Sequence, residues 1–217
     1  MKKSEDNRVV IGVSGSIAAY KACEVLRGLS QEGVETRVVL TPNASRFVTP
    51  LTMGTLSGNP VYQDPYDPNV WEMAHLSLAS WARLIVIVPA TADLIARLAW
   101  GGAGGLLEGL VLAARSPVAV CPAMDAAMWE HPATRENVAK LSKFGYRIWG
   151  PVKGPLASGR TGMGRLLEPD EIVSRALAAL RPKNPAARRP SSARAIPGDI
   201  AEPGAARGQA APLASGR

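Results

Sequence analysis

Leu84-Ile85-Val86-Ile87-Val88-Pro89, followed by Ala92-Asp93-Leu94-Ile95-Ala96-Arg97-Leu98-Ala99, is the stretch on which the fold turns. Five large apolar residues in a row leave no polar face, so the segment reads as a strand buried on both sides in a parallel sheet, ended by the proline. The next eight residues carry apolar groups at helical spacing, giving a strand-turn-helix unit.

The same unit recurs on either side. Upstream, residues 8–15 (R-V-V-I-G-V-S-G) read as a buried strand running into a Gly/Ser turn. Ala18, Ala22, Val25, Leu26 and Leu29 then recur at helical spacing, with Gly33 just past the helix end. Glu35 to Leu40 is a second strand, Thr41 to Phe47 opens a short helix, and Pro50 to Leu56 reads as another. Residues 57–72, rich in Gly, Pro, Asn, Asp and Tyr, read as a long irregular excursion. Downstream, Gly101 to Gly105 links to an apolar helix over 106–114, and Val118 to Cys121 is a strand stopped by Pro122. A loop bearing Met124, Asp125, Met128 and Trp129 leads to a helix from Pro132 to about Phe144 and a strand from Tyr146 to Trp149. Residues 150–166 read as a flexible Gly/Pro segment with three cations. Glu168-Pro169-Asp170-Glu171 opens a last helix ending near Leu180, with proline and acids where a first turn favours them. Five strands alternating with helices predict an α/β fold with a right-handed, doubly wound parallel sheet.

The net charge of +7 divides unevenly. From Pro182 onward six basic residues face two acidic ones, a net +4, which leaves +3 for the body. The basic balance therefore belongs mostly to a Pro/Ala/Arg-rich tail with no aromatic residue to stack on a base, and nucleic acid is not an expected partner. That tail, 182–217, has almost no large apolar group and is expected to be disordered, with 1–181 forming the folded domain. No apolar run reaches membrane-spanning length and the start has no signal-peptide core, so no membrane partner is expected and the cytoplasm is the default location. Cys23 and Cys121 are far apart within apolar or helical patterns, and both are expected to be buried thiols. His75 and His131 lack partners at ligand spacing, so no metal is expected.

Gly12-Val13-Ser14-Gly15-Ser16-Ile17-Ala18 can hold an anion: glycines allow close approach, hydroxyls donate, and a helix N-terminus supplies free N–H groups. The spacing is not G-x-G-x-x-G, and Thr41 stands where an acid would hold a ribose, so the pattern favours a mononucleotide phosphate over a dinucleotide. A tight turn without a ligand has the same local sequence.

Six blocks, V-S-G-S-I-A-A-Y-K, F-V-T-P-L-T…L-S-G-N-P-V-Y, H-L-S-L-A-S-W-A, V-P-A-T-A-D-L-I-A-R-L-A, P-A-M-D-A-A-M-W-E-H-P-A-T-R-E-N and G-P-L-A-S-G-R-T-G-M-G-R, run in order over residues 8–180. Together they resemble the phosphopantothenoylcysteine decarboxylase family of FMN proteins. The resemblance implies a flavodoxin-like Rossmann three-layer fold, bound FMN, and a homotrimer or higher assembly of trimers with flavin at subunit contacts. It implies that Gly15, Ser16, Ile17, Thr41 and Phe47 meet the phosphate side of FMN and that Pro89, Ala90, Thr91 and Ala92 line the flavin. The implied reaction oxidises the thiol of a small cysteine-containing substrate, phosphopantothenoylcysteine, releases carbon dioxide and yields phosphopantetheine. His75 would be the base, Met124 part of the substrate loop, and Lys153, Arg160 and Arg165 the cations available to an anionic substrate.

The chain departs from the family pattern at functional positions. Asp125 stands where Asn holds the substrate carboxylate, and an ionised Asp accepts hydrogen bonds but donates none. Ser158 stands where a Cys donates the final proton, and an alcohol is a far weaker acid than a thiol. Asp93 replaces Asn, and Gly104 and Gly105 replace two acids. Either Asp125 is protonated, or the substrate differs, or decarboxylation is impaired. A non-catalytic flavin-binding or regulatory paralogue, and a thiol oxidase/decarboxylase of another cysteine-containing substrate that stops at the enethiol, are the alternatives.

Overall fold

The computed structural model describes residues 7–67 and 73–181. Six parallel strands form the sheet: β1 (Arg8–Val13), β2 (Glu35–Leu40), β3 (Val61–Tyr62), β4 (Leu84–Ala90), β5 (Val118–Pro122) and β6 (Arg147–Ile148), in the order β3-β2-β1-β4-β5-β6. The period-two geometry of a strand sends alternate side chains to opposite layers. Val9, Ile11, Val13, Leu84, Val86 and Val88 enter one apolar layer with α1 (Tyr20–Gln31) and α8 (Pro169–Leu180). Val10, Ile85 and Ile87 enter the other, with α3 (Ala74–Trp81), α4 (Ala92–Ala99) and α5 (Leu106–Ala113). Every residue of β4 is buried, as its unbroken apolar run predicts. Each large side chain so buried contributes about 1.5–3 kcal/mol of transfer free energy.

The strand order runs outward in both directions from the adjacent pair β1 and β4. Chain connections therefore leave their carboxyl ends on opposite sides of the sheet, opening a crevice there. The doubly wound α/β expectation holds.

Five details differ from the sequence reading. The sheet has a sixth strand, β3, inside the excursion predicted to be irregular; Gly58-Asn59-Pro60 and Asp64-Pro65 crowd its two residues and hide them. Residues 150–166 are an ordered antiparallel hairpin, β7 (Val152–Pro155) with β8 (Thr161–Arg165), whose alternation is erased in the sequence by Gly154, Gly162 and Gly164. The loop after β5 contains a helical turn, α6 (Ala126–Glu130), and Ala74–Trp81, to which no element was assigned, is α3. The Cys121 thiol is buried as expected, but Cys23 is only half-buried, its Sγ 3.6 Å from Met53 Sδ; both are free. The expected disorder of 182–217 lies outside the described residues.

Among the described residues no helix is long and apolar enough to cross a membrane, and no group of three or more His, Cys, Asp or Glu side chains is placed to hold a metal ion.

Candidate functional site

The turns after β1 and β4 are tied together by one hydroxyl. Ser14 Oγ donates to the Pro89 carbonyl at 2.7 Å and accepts the Thr91 N–H at 3.0 Å, while Ser14 N–H also donates to Pro89 O at 3.2 Å. Buried hydroxyls are retained when both roles are satisfied, and this one fixes the distance between the two turns. Thr41 joins from β2: its N–H donates to Val13 O at 3.0 Å, and its Oγ1 accepts from Ala44 N–H at 3.3 Å. Gly15 lies against the same loop. A Cβ there would stand 2.5 Å from Asn43 Cβ, so only glycine permits this approach of backbone to backbone.

Ser16 caps the 3₁₀ turn Ile17–Ala19 that leads directly into α1, its Oγ accepting from Ala18 N–H at 3.2 Å. No hydrogen bond is formed from the Gly15 or Ile17 N–H to another described residue, and both lie in the turn that leads into α1. Orphan donors at the positive end of a helix dipole suit an anionic group. Ile17 and Phe47, 61% and 49% exposed, place apolar surface on the loops flanking that turn. Pro89 and Ala90 are buried at the end of β4, and Thr91 caps α4 at Leu94 N–H (3.3 Å), ahead of Ala92. Phosphate donors, a close backbone approach and flanking apolar surface together fit a flavin mononucleotide.

Beside this turn opens a cavity of about 570 Å³, walled by Ser16, Ile17 and Lys21 on one side and by Met124, Asp125, Ser158 and Arg165 on the other. The hairpin supplies its outer wall and is pinned to the β5 loop in two ways. Met124 N–H donates to Gly164 O at 3.0 Å, and Gly164 (φ 140°) passes so close that a Cβ would meet Met124 O at 2.2 Å. At the hairpin tip, Ser158 Oγ donates to Asp125 Oδ2 at 2.6 Å. Asp125 Oδ1 meanwhile caps α6 by accepting Ala127 N–H at 3.1 Å. The Ser158 hydroxyl and then the Ala127 N–H, with Arg160 nearby, hold the Asp125 carboxyl below its usual range.

The cations divide. Arg165 lines the cavity, while Lys153 and Arg160 are exposed on the hairpin and are not part of the lining. Lys21 was missed by the sequence reading; its signal was its place one helical turn after Ile17, on the same side of the chain. Its Nζ lies 3.1 Å from Glu168 Oε2, and Arg165 Nη2 lies 2.6 Å from Glu168 Oε1, so one carboxylate holds both cavity cations. The Lys21 hydrogen bond, with Arg165 adding charge, keeps the Glu168 carboxyl below the ordinary range.

His75 is elsewhere. It lines a second cavity, of about 410 Å³, with Tyr66, Gly105, Gly109 and Leu112, and its ring packs against Gly109 of α5. The two cavities have no lining residue in common. One chain thus gathers Met124, Asp125, Ser158 and Arg165, but not His75. The glycine at 105, unexpected from the family pattern, has a local cause: a Cβ there would stand 2.5 Å from Oε2 of Glu108. Glu108 is buried (2% exposed), its Oε1 2.6 Å from Arg97 Nη1, and Arg97 also binds Asp93 at 2.8 Å.

Comparison with known proteins adds a consistent set of relatives. The Flavoprotein family matches residues 1–181. The coenzyme A biosynthesis bifunctional protein CoaBC of Vibrio vulnificus is 47% identical over 184 residues, 84% of this chain and 46% of the relative, and that of Escherichia coli K12 is 45% identical over 178 residues, 82% and 44%. The chain therefore spans about half the length of the curated relatives it matches. Among solved structures, a PPC decarboxylase variant complexed with pantothenoylaminoethenethiol superposes with a TM-score of 0.73 at 30% identity, covering 79% of this chain and 96% of that one. The FMN-dependent cysteine decarboxylase SpaF gives 0.70 at 35% identity, covering 80% and 96%.

Proposed function

The chain belongs to the Flavoprotein family, and on that premise we propose that residues 1–181 bind FMN and catalyse oxidative decarboxylation of a small cysteine-derived thiol, with 4'-phosphopantothenoylcysteine as substrate and 4'-phosphopantetheine as product in coenzyme A biosynthesis. The observation that carries the reading is the Ser14 hydroxyl, which joins the anion-ready turn after β1 to Pro89 and Thr91 beside the cavity walled by Asp125 and Ser158.

Bound FMN supplies a two-electron acceptor for oxidation at the thiol-bearing carbon. Gly15, Ser16, Ile17, Thr41 and Phe47 would hold its phosphate side, and Pro89, Ala90, Thr91 and Ala92 would line its flavin. Lys21 and Arg165 engage the anionic end of the substrate, with Lys153 and Arg160 adding positive charge at the hairpin. Met124 packs against the substrate, and His75 takes the thiol proton as general base. Because His75 and Asp125 line separate cavities in one chain, the complete site needs a second copy. Met73, Leu76 and Leu112, 66%, 48% and 62% exposed beside or near the His75 cleft, supply apolar surface for it. A homotrimer, or trimers assembled further, in the cytoplasm meets this requirement.

A second reading is favoured by the Ser158 hydroxyl, whose proton is directed at Asp125 rather than into the cavity: the chain releases carbon dioxide but stops at the enethiol. Anaerobic incubation of FMN-loaded protein with 4'-phosphopantothenoylcysteine separates the outcomes. Flavin bleaching followed by recovery, with product at the mass of 4'-phosphopantetheine, supports the first reading. Persistent bleaching with product two hydrogens lighter supports the second. Protein that takes up no FMN refutes both, and flavin that never bleaches marks a non-catalytic paralogue.

A further inference from the structure

We propose that Glu108 is a positioning residue: through Arg97 it holds the first turn of α5, a wall of the His75 cavity, at a fixed separation from α4, and its carboxylate fills the space of a side chain at Gly105. The effect on turnover rests on the reading above, in which His75 is the base; the clamp itself does not.

Among the described residues Glu108 is the only buried carboxylate, and burying such a charge is costly unless a cation accompanies it. Its Oε1 is fully enclosed 2.6 Å from Arg97 Nη1, paired by charge rather than by an aligned hydrogen bond, while Arg97 Nη2 donates to Asp93 Oδ2 at 2.8 Å. One guanidinium therefore spans two carboxylates, Asp93 in the first turn of α4 and Glu108 in the first turn of α5. The α4 end is fixed independently, because the Thr91 N–H at its cap donates to Ser14 Oγ. The α5 end is the wall: Gly105 and Gly109, on either side of Glu108 in the chain, line the His75 cavity, and the His75 side chain packs against Gly109. Removing the Glu108 charge leaves Arg97 no hold on α5, and the wall beside His75 is free to shift.

The glycine at 105 belongs to the same device. Its φ of −134° is extended backbone open to any residue, so the backbone does not call for glycine there. Crowding does: a Cβ at Gly104 would meet nothing within 4 Å, whereas one at Gly105 would stand 2.5 Å from Glu108 Oε2 and 3.4 Å from Oε1. The space beside Arg97 thus takes one carboxylate, delivered either from 105 or from 108. Position 105 is the cap of α5, where an aspartate is favoured, and a negative charge in that first turn suits the helix dipole from either residue. The acid that the chain lacks at 105 is retained in space by Glu108, three residues later.

The test is a double-mutant cycle on Glu108→Ala and Gly105→Asp. It is read by Tm, by the imidazole C–H NMR signals of His75, assigned with His75→Gln and referenced to His131, and by kcat and KM of FMN-loaded protein with 4'-phosphopantothenoylcysteine. Each single substitution should lower Tm, move the His75 signals and cut kcat by about ten- to a hundredfold, as a wall displaced by about 1 Å would, with KM within about twofold. The double substitution should bring every readout most of the way back to wild type, a coupling that independent sites do not show. Glu108→Gln, which keeps an oxygen for Arg97 but not the charge, should fall between wild type and Glu108→Ala. Additive losses in the double variant would overturn the proposal, as would a Glu108→Ala protein that loses stability while its His75 signals and its kcat per folded molecule stay unchanged. If Glu108→Ala does not fold, folding regained in the double variant supports the shared space, folding still lost refutes it, and Glu108→Gln carries the kinetic comparison. Wild-type flavin that never bleaches would instead count against the decarboxylase reading, and the Tm and NMR arms of the cycle would still decide the clamp.

Discussion

The two walls of the site are built on opposite principles. The turn after β1 is tied to β4, which is buried throughout, by a buried hydroxyl, and is pressed against the β2 loop at Gly15. The hairpin wall hangs from the β5 loop by a Gly164 contact and by an Asp125–Ser158 hydrogen bond that water can reach. The first wall is a product of the core and varies only if the core varies. The second is an attachment that can change chemistry without disturbing the fold. Ser158 lies on that attachment and Asp125 on the loop it hangs from, and these are the departures of greatest chemical consequence.

The contrast can be broken at its strongest point first. Gly15→Ala puts a Cβ about where Asn43 stands, so FMN affinity should fall by about a hundredfold, or roughly 2.7 kcal/mol, with the fold retained; titration of flavin fluorescence measures it. Unchanged affinity would remove the turn from the cofactor site. Next, Gly164→Ala should destabilise the protein by about 2 kcal/mol through the positive φ and the clash with Met124 O. That lowers Tm by about 4–8 °C, while FMN affinity stays within about threefold; a large loss of FMN would show the two walls to be one unit. Ser158→Ala should have a smaller, local effect, with amide exchange at 156–160 accelerating about three- to tenfold as the loss of one exposed hydrogen bond allows.

The smallest effect is in the pH dependence. Asp125 and Glu168 have folded-state pKa values depressed below their unfolded ones. Their contribution is therefore present above the ordinary carboxylate range and is lost as pH falls through the depressed values. Hairpin exchange should accelerate in that acid window, while the turn after β1, which depends on no carboxylate, keeps its protection.

The sequence made the core wall legible and the attached wall less so, for physical reasons. A strand buried on both faces has to be apolar throughout, so L-I-V-I-V could be read directly, and the Gly/Ser turn follows from where that class of sheet binds ligands. The hairpin escaped because its strands are spaced by glycines, and glycine carries no side-chain periodicity to read. Asp125 and Ser158 were recognisable as residues, but their mutual hydrogen bond joins positions 33 apart and has no local signal. Lys21 escaped for the same reason: its partner Glu168 is 147 residues away. The separation of His75 from Asp125 was equally hidden, since chain order says nothing about which cleft a helix faces.

Glu168, gripped by Lys21 and Arg165, also sets an order in time. A chain made from its amino end has completed β1, β2, β4 and the Thr91 cap well before the hairpin exists, and the clasp closes only when the residues that open α8 arrive. The residues of the turn after β1 and of the Thr91 cap are therefore made before those of the hairpin, and closure of the clasp waits for α8.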